Sequence, residues 1–226
     1  MTTSGTITFS LTAQQVITFA LRKINIVATT EDPSADDSAR AMQELNLLLK
    51  GWAKYPLLWR LTEGSITMVN ATASYVMSPT PHRVTSVRFN NSVGTDIPIL
   101  LMSRGEYFDT AIKGTAGDPV NYYVDHQRAS STMYVYPVKA VVTTETLKYT
   151  FQRRIEDIAD PSNDIDVRPE WLEVVGYNLA ARLTMDFGVS ADKQQAIGKV
   201  AGALLNEAIG DNHEDYVRAE MQATQG

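Results

Sequence analysis

Acidic pairs are the side chains in this sequence whose types and spacing come nearest to a catalytic arrangement. Glu156 is adjacent to Asp157, and one residue separates Asp164 from Asp166. Two carboxyl groups can supply the acid and the base or nucleophile of glycoside hydrolysis. Both pairs lie in polar, turn-like sequence, and nothing in the pattern predicts the desolvation that acid catalysis needs. A cell-wall glycosidase therefore stays open as an alternative, while the main prediction is a protein that is not an enzyme.

Patterns for metal, nucleophile and phosphate chemistry do not occur in the sequence. His82, His126 and His213 are far apart and follow no metal-ligand spacing, and there is no cysteine. Gly114 and Gly117 lack the Gly-Lys-Ser/Thr ending of a phosphate-binding loop. We therefore predict no metal and no cofactor. We expect the two glycines to occupy positive-φ turn positions in a mobile loop, of the kind through which proteins contact partners.

Aromatic residues give a third chemical possibility. Tyr122, Tyr123, Tyr134 and Tyr136 are close in sequence, and their rings could stack on sugars. A glycan-binding module is therefore a second alternative. Tyrosines at strand spacing are more typical of half-buried sheet positions.

The charge balance disfavours a protein that grips nucleic acid. The 226 residues include 20 lysines and arginines against 26 aspartates and glutamates, a net charge of −6. Binding to DNA depends largely on neutralising phosphates, and Arg153-Arg154 alone is too small a patch and better suits a domain junction. No apolar run is long enough to span a bilayer, and the first ten residues do not resemble a signal peptide. These features predict synthesis in the cytoplasm and no membrane contact.

Amphipathic helix patterns lie at both ends of the chain. Thr12 with Gln15 has capping-box spacing, and Ser34 precedes a second helix that has two aspartates in its first turn. Arg168-Pro169 opens a third helix and Ser190 caps a fourth. Four apolar stripes follow these starts: Ile17, Ala20, Leu21 and Ile24; Met42, Leu45, Leu49 and Trp52; Leu172, Val175, Leu179 and Leu183; and Ile197, Val200, Ala201, Leu204, Leu205 and Ala208. Each stripe must be buried against another element.

The middle of the chain has strand patterns and turns. A hairpin is predicted around the turn at 90–94, and a short helix is predicted from Ser103. The fold class is therefore α+β: a four-helix bundle made by the two terminal helix pairs, with an inserted antiparallel β-sandwich or barrel. The predicted boundaries give a bundle from 1–60 and 154–212, a β domain from 61–153, and an extended tail from 213–226.

Three segments together resemble a known family. They are the run Tyr149-Thr150-Phe151-Gln152-Arg153-Arg154-Ile155-Glu156-Asp157-Ile158, the run Asp164-Ile165-Asp166-Val167-Arg168-Pro169-Glu170-Trp171-Leu172, and the run Val175-Gly176-Tyr177-Asn178-Leu179-Ala180-Ala181-Arg182-Leu183. With the helices at 20–24 and 41–52, they resemble the head-to-tail adaptors of tailed bacteriophages, a family that includes the packaged-DNA stabilisation proteins. Short members lack most of the β insertion, so this chain is similar to the longer branch.

The resemblance implies a structural virion protein at the head–tail junction. Such a protein forms a homo-oligomeric ring, typically dodecameric, under the portal protein, and it retains the packaged genome. Genomic DNA would pass through the lumen without sequence-specific binding. The C-terminal tail, with Tyr216, Val217 and Met221 as anchors, would bind the portal and become ordered on assembly. The β domain, with its loop at Gly114, Gly117 and Asp118, would face the tail or nozzle protein.

Overall fold

The computed structural model describes residues 5–55 and 58–211. Contacts within the chain divide it into two units, residues 1–58 with 155–226 and residues 59–154. The first is called the helical unit and the second the β unit. That each unit folds as a domain of its own stays a prediction.

The helical unit is made from both ends of the chain. Its helices are α1 (Ala13–Lys23), α2 (Ala35–Gly51), α4 (Leu172–Asp186) and α5 (Ala191–Gly210), with short 3₁₀ turns at Trp52–Lys54 and Pro169–Trp171. The helix α3 (Arg104–Asp109) belongs to the β unit. Among the predicted starts, the proline after Arg168 opens the 3₁₀ turn, and α4 itself begins three residues later.

The first two helix starts are confirmed by their capping hydrogen bonds. The Thr12 hydroxyl accepts the Gln15 backbone N–H at 3.3 Å, and the Gln15 side chain accepts the Thr12 N–H at 2.9 Å. The Ser34 hydroxyl accepts the Asp37 N–H at 3.1 Å. Asp36 and Asp37 lie in the first turn of α2, where negative charge is favourable.

Helix α4 lies at the centre of the helical unit and packs against α1, α2 and α5. Gly176 lets α1 approach closely, since a Cβ at this position would lie 2.7 Å from the Phe19 ring. Trp52 meets Trp171 edge to face at 5.4 Å between ring centroids. The predicted stripes of α1, α2 and α4 are at most 5% exposed at Ile17, Ala20, Leu21, Ile24, Leu45, Leu49, Trp52, Leu172, Val175, Leu179 and Leu183.

The turn between α4 and α5 explains where α4 ends. Gly188 has φ +61°, a conformation that glycine adopts without a steric penalty. The Val189 N–H donates to the Thr184 carbonyl at 3.0 Å, and the Gly188 N–H donates to the Met185 carbonyl at 3.4 Å. These two bonds form a Schellman motif, which satisfies the last carbonyls of the helix. Ser190 is the N-cap of α5 as predicted, but its side chain makes no capping hydrogen bond.

The β unit contains one curled sheet and one short helix. Its elements are β1 (Leu61–Thr67), β2 (Ser74–Val76), β3 (Arg83–Asn90), β4 (Asp96–Leu101), α3 (Arg104–Asp109), β5 (Asn121–His126), β6 (Ser131–Tyr136) and β7 (Thr146–Gln152), and a 3₁₀ turn at Leu58–Arg60 precedes them. The strand order is β1-β7-β3-β4-β5-β6-β2. The fold class predicted from the sequence, α+β with helices from both ends and a β insertion, is confirmed.

One strand pairing departs from the antiparallel prediction. Strands β3 and β4 form the predicted hairpin, with Gly94 at φ +84° in its turn, but β4 and β5 pair in parallel. Parallel neighbours need a crossover connection, and here the chain between them carries α3. The predicted helix start at Ser103 is confirmed by a capping box with Glu106.

The core of the β unit is apolar and mostly aromatic or β-branched. Phe89, Met133, Val135 and Leu147 are fully buried in it. Gly64 in β1 leaves room for the Tyr149 ring of the neighbouring strand β7, since a Cβ at residue 64 would lie 2.6 Å from the Tyr149 Oη. The sheet therefore has a packed interior in which ring positions are closely specified.

Candidate assembly surfaces

The link at residues 155–167 closes the helical unit around the start of α1. The backbone N–H groups of Ala13 and Gln14 donate to the carbonyls of Asn163 and Pro161, each at 2.9 Å. The first N–H groups of a helix have no partner inside the helix, and here the aspartate-rich turn supplies carbonyl acceptors for two of them. The Ser10 hydroxyl also donates to Asp164 Oδ2 at 3.0 Å. The turn at residues 160–164 thus ties the start of α1 to the segment that precedes α4.

The same link is bonded to α2. Asn46 accepts the Ile158 N–H at 3.0 Å and donates to the Ile158 carbonyl at 3.1 Å. Lys50 donates to the Ile155 carbonyl and forms an ion pair with Asp157. These paired contacts fix the link along one side of the helix.

Three of the four carboxylates considered for glycoside cleavage form hydrogen bonds or ion pairs that hold this link in place. Asp166 Oδ2 accepts the Glu156 N–H at 3.0 Å, Asp157 is ion-paired, and Asp164 accepts the hydrogen bond from Ser10. The Asp157 side chain is 81% exposed, so it is not in the desolvated surroundings that acid catalysis needs. Nothing in this geometry favours the glycosidase alternative.

Helix α5 presents an apolar face that the helical unit covers only in part. Ile197 and Ala201 are buried against α4, but Val200 is 43% exposed. Leu204 and Leu205 are half-buried, so the predicted stripe is only partly covered within one chain. A helix with an uncovered apolar face is typical of a surface that meets another protein.

A groove of about 390 Å³ lies between the end of α5 and the beginning of α4. Trp171 and Leu204 form part of its lining, and Glu170, Glu173 and Glu207 make its wall acidic. The described chain ends beside it at Asp211. The groove therefore combines apolar side chains with negative charge beside the last described residue.

The loop predicted to meet the tail protein is hydrogen-bonded to the segment that follows β6. The Gly117 N–H donates to the Val138 carbonyl at 3.0 Å, and the Val138 N–H donates to the Thr115 carbonyl at 2.9 Å. The prediction of positive φ at Gly114 and Gly117 is wrong, because neither glycine has it. Gly117 is needed for close approach instead, since a Cβ there would lie 3.2 Å from Pro137.

A buried carboxylate anchors this part of the β unit. Glu145 is 3% exposed and accepts the backbone N–H groups of Thr143 and Thr144 at 2.6 and 3.0 Å. Donation from Thr143 is the main reason why the pKa of Glu145 falls to about 2. Lys139 lies 3.6 Å from Glu145 and also pairs with Asp118 in the loop. Asp118 is thus connected to the interior by one ion-pair chain.

The tyrosines considered for sugar binding are largely covered. Tyr122 and Tyr123 are 3% and 8% exposed, and Tyr123 stacks on Tyr134 with 5.8 Å between centroids. Tyr107 of α3 packs on both of the stacked rings. Tyr134 and Tyr136 are half-buried as predicted, whereas Tyr122 and Tyr123 are buried more completely. Phe108, which the sequence did not single out, is 52% exposed beside Tyr123.

Cationic side chains gather at one end of the β unit. Arg154 Nη1 donates to the Arg128 carbonyl at 3.3 Å, and Arg83 pairs in register with Gln152, two residues before Arg154. His82 and His126 lie in the same region: partial burial and then the charge of Arg154 lower the pKa of His126. This basic end, defined as His82, Arg83, His126, Arg128 and Arg154, was missed because its members come from distant parts of the sequence.

The remaining predicted site residues lie outside the described part of the chain. They are Tyr216, Val217 and Met221, and His213 lies there as well. Among the described residues, no group of three or more histidine or carboxylate side chains could hold a metal ion. No helix in the described ranges is long and apolar enough to cross a bilayer.

Comparison with known proteins gives structural likeness at a low level. No family model and no curated protein matches the sequence. A chain of the virion of a native gene transfer agent particle is 14% identical, with a TM-score of 0.31, over 76% of this chain and 78% of that one. A chain from the neck of an empty gene transfer agent particle, computed with C6 symmetry, is 13% identical, with a TM-score of 0.30, over 77% of this chain and 82% of that one. Values of this size do not establish a common fold.

Proposed function

We propose that this protein is a structural head-to-tail adaptor of a bacteriophage virion. It forms a homo-oligomeric ring, dodecameric by the family resemblance, under the portal, where it extends the DNA channel and retains the packaged genome. It also provides the attachment site for the tail. In this role it needs no catalytic residue, metal or cofactor, and it is made in the host cytoplasm before it joins the virion at the head–tail junction.

The observation that carries the proposal is the uncovered apolar face of α5. Subunits of a closed ring contact each other through two different surfaces, so each chain must leave surface free for its neighbours. Val200 at 43% exposure and the half-buried Leu204 and Leu205 are the members of the α5 stripe that stay accessible to a neighbour on a well-packed helical unit. A neighbouring subunit would bury it.

The C-terminal tail is proposed to bind the portal through Tyr216, Val217 and Met221. Residues 212–226 include three acidic side chains and one arginine. The groove beside Asp211 also has an acidic wall. Like charges disfavour return of the tail into its own groove, which supports a binding site for the tail on another protein.

The tail or nozzle protein is proposed to meet the β unit at Gly114, Gly117 and Asp118. The backbone hydrogen bonds of this loop and the pairing of Asp118 with Lys139 fix its conformation before any partner arrives. A preorganised loop loses less conformational entropy on binding than a mobile one. This arrangement suits a static joint between particle components.

Mass photometry of the purified full chain tests ring formation. The wild type should form closed rings, and Val200→Asp should dissociate them because it places a charge in the subunit contact. Gln195→Asp is the matched control, since residue 195 is an exposed position on the same helix and receives the same side chain. Truncation after Asp211 should keep the rings but abolish portal binding. A strict monomer that also fails to bind portal would contradict the proposal.

A further inference from the structure

Charge is distributed unevenly between the two units. Residues 59–154 contain ten lysines and arginines against seven aspartates and glutamates, whereas the rest of the chain contains ten against nineteen. The β unit therefore carries a net positive charge, although the net charge of the whole chain is −6. A positive surface on an acidic protein is where a polyanion would bind.

Several cations of the β unit already have a carboxylate partner within the unit. Arg88 pairs with Glu63, Arg104 with Asp125, Lys139 with Asp118 and Glu145, and Lys148 with Asp96. Lys113 donates to two backbone carbonyls. These cationic side chains therefore already have partners within the β unit.

The arginines of the basic end differ from that group. Within the described residues, Arg83, Arg128 and Arg154 form no ion pair, and all three are exposed. They come from β3, from the β5–β6 hairpin and from the residues after β7, and the hydrogen bond from Arg154 to the Arg128 carbonyl brings two of these segments together. The unpaired arginines of the unit thus share one end of it.

Two imidazoles lie among the arginines of this end. Partial burial, and then Arg60 and Arg154, lower the pKa of His82. His126 Nδ1 lies 3.1 Å from the Ser131 hydroxyl, at the end of β5. Both rings would gain a proton more readily beside an anion, which would offset the repulsion from the arginines.

We propose that the basic end, formed by His82, Arg83, His126, Arg128 and Arg154, binds the phosphodiester backbone of double-stranded DNA without reading its sequence. The inference rests on the proposed function, in which DNA passes through the ring. Guanidinium groups bind phosphate oxygens in a bidentate manner. Repetition of the basic end around a ring would give a positive collar, and many weak contacts would then act together on one duplex.

Fluorescence anisotropy with a labelled duplex measures this binding on the full chain at low salt. The triple variant Arg83→Gln, Arg128→Gln, Arg154→Gln should weaken binding at least about tenfold. It should also reduce the slope of log affinity against log salt by about 3, because each phosphate contact contributes about 0.9. The double variant Arg83→Gln, Arg128→Gln leaves the Arg154 side chain in place and should reduce the slope by about 2.

The matched control removes the same charge from paired positions. The triple variant Arg88→Gln, Arg104→Gln, Lys148→Gln should change DNA affinity by less than about threefold, since its side chains are already neutralised by carboxylates. Two duplexes of unrelated sequence should bind equally well. Equal losses in the two triple variants, or no binding by the wild type, would overturn the inference.

Two further readouts separate the alternatives. Polyglutamate that binds at least as tightly as DNA, and loses binding in the same triple variant, would assign the basic end to an acidic protein surface and overturn the DNA assignment. Mass photometry on the same samples reports assembly independently. Rings without DNA binding at the basic end would remove this inference alone, whereas a monomer without portal binding would remove the proposed function.

Discussion

The contact between Gly176 and Phe19 allows a quantitative test of how the two chain ends pack together. In Gly176→Ala the new methyl group would lie 2.7 Å from two carbon atoms of the Phe19 ring. Carbon atoms prefer separations of about 3.5–4.0 Å, so the ring or α1 must move by about 1 Å. Such overpacking costs about 1–3 kcal/mol. Replacing glycine inside a helix gains about 1 kcal/mol, so the two effects oppose each other.

Gly202→Ala is the control, because its methyl group would meet nothing within 4 Å on α5. It carries the gain in helix propensity without the collision. The free energy of unfolding of Gly176→Ala should therefore be about 1–3 kcal/mol below that of Gly202→Ala. Urea titration followed by far-ultraviolet circular dichroism measures both values.

A double-mutant cycle with Phe19→Ala isolates the collision. Removing the ring should abolish most of the penalty of Gly176→Ala, which gives a coupling energy of about 1 kcal/mol or more for residues in contact. Equal stabilisation by Gly176→Ala and Gly202→Ala, together with no coupling to Phe19, would refute the packing of α1 on α4 at this position.

Three further perturbations test the β unit and the turn that ends α4. Gly64→Ala should lower the stability of the β unit by about 1–3 kcal/mol in urea titration because of the buried Tyr149 ring, whereas Gly114→Ala should change it by less than about 0.5 kcal/mol. Hydrogen bonds from backbone N–H groups hold the pKa of Glu145 at about 2, so the stability that they provide is present above the ordinary value of 4.5 and is lost as pH falls towards 2. Glu145→Gln should flatten that dependence in thermal melts recorded across this range. Gly188→Ala should cost about 1–2 kcal/mol, since φ is +61° there, and a melting temperature equal to the wild type would contradict the Schellman turn.

Local chemistry explains why the helix starts could be predicted. A capping box involves residues three apart, so it can be recognised from sequence spacing alone. The structure has the capping boxes of Thr12 with Gln15 and of Ser103 with Glu106. The apolar stripes of α1, α2 and α4 likewise follow from spacing alone.

Features that depend on distant residues were not predictable in the same way. The parallel pairing of β4 with β5 depends on the path of the chain through α3, which strand patterns do not encode. The periodicity of α5 shows that its stripe needs a partner, but not whether that partner lies in the same chain. The basic end was not predicted for a related reason, since Arg83, Arg128 and Arg154 are separated by tens of residues in the sequence.

The loop at residues 112–120 shows the limit of reasoning from residue type. Glycine is compatible with positive φ, but it is also the residue that permits close packing. At Gly117 the second reason applies, because the Pro137 side chain occupies the space where a Cβ would project. Only the three-dimensional packing around the glycine distinguishes these two uses of the same residue.

Electron cryo-microscopy of the full chain mixed with a cognate portal protein tests the proposed adaptor function most directly. The proposed function predicts an added ring that is coaxial with the portal, in which α5 of each subunit contacts its neighbour. Portal particles that carry no added layer, with the chain remaining as a monomer in solution, would contradict it.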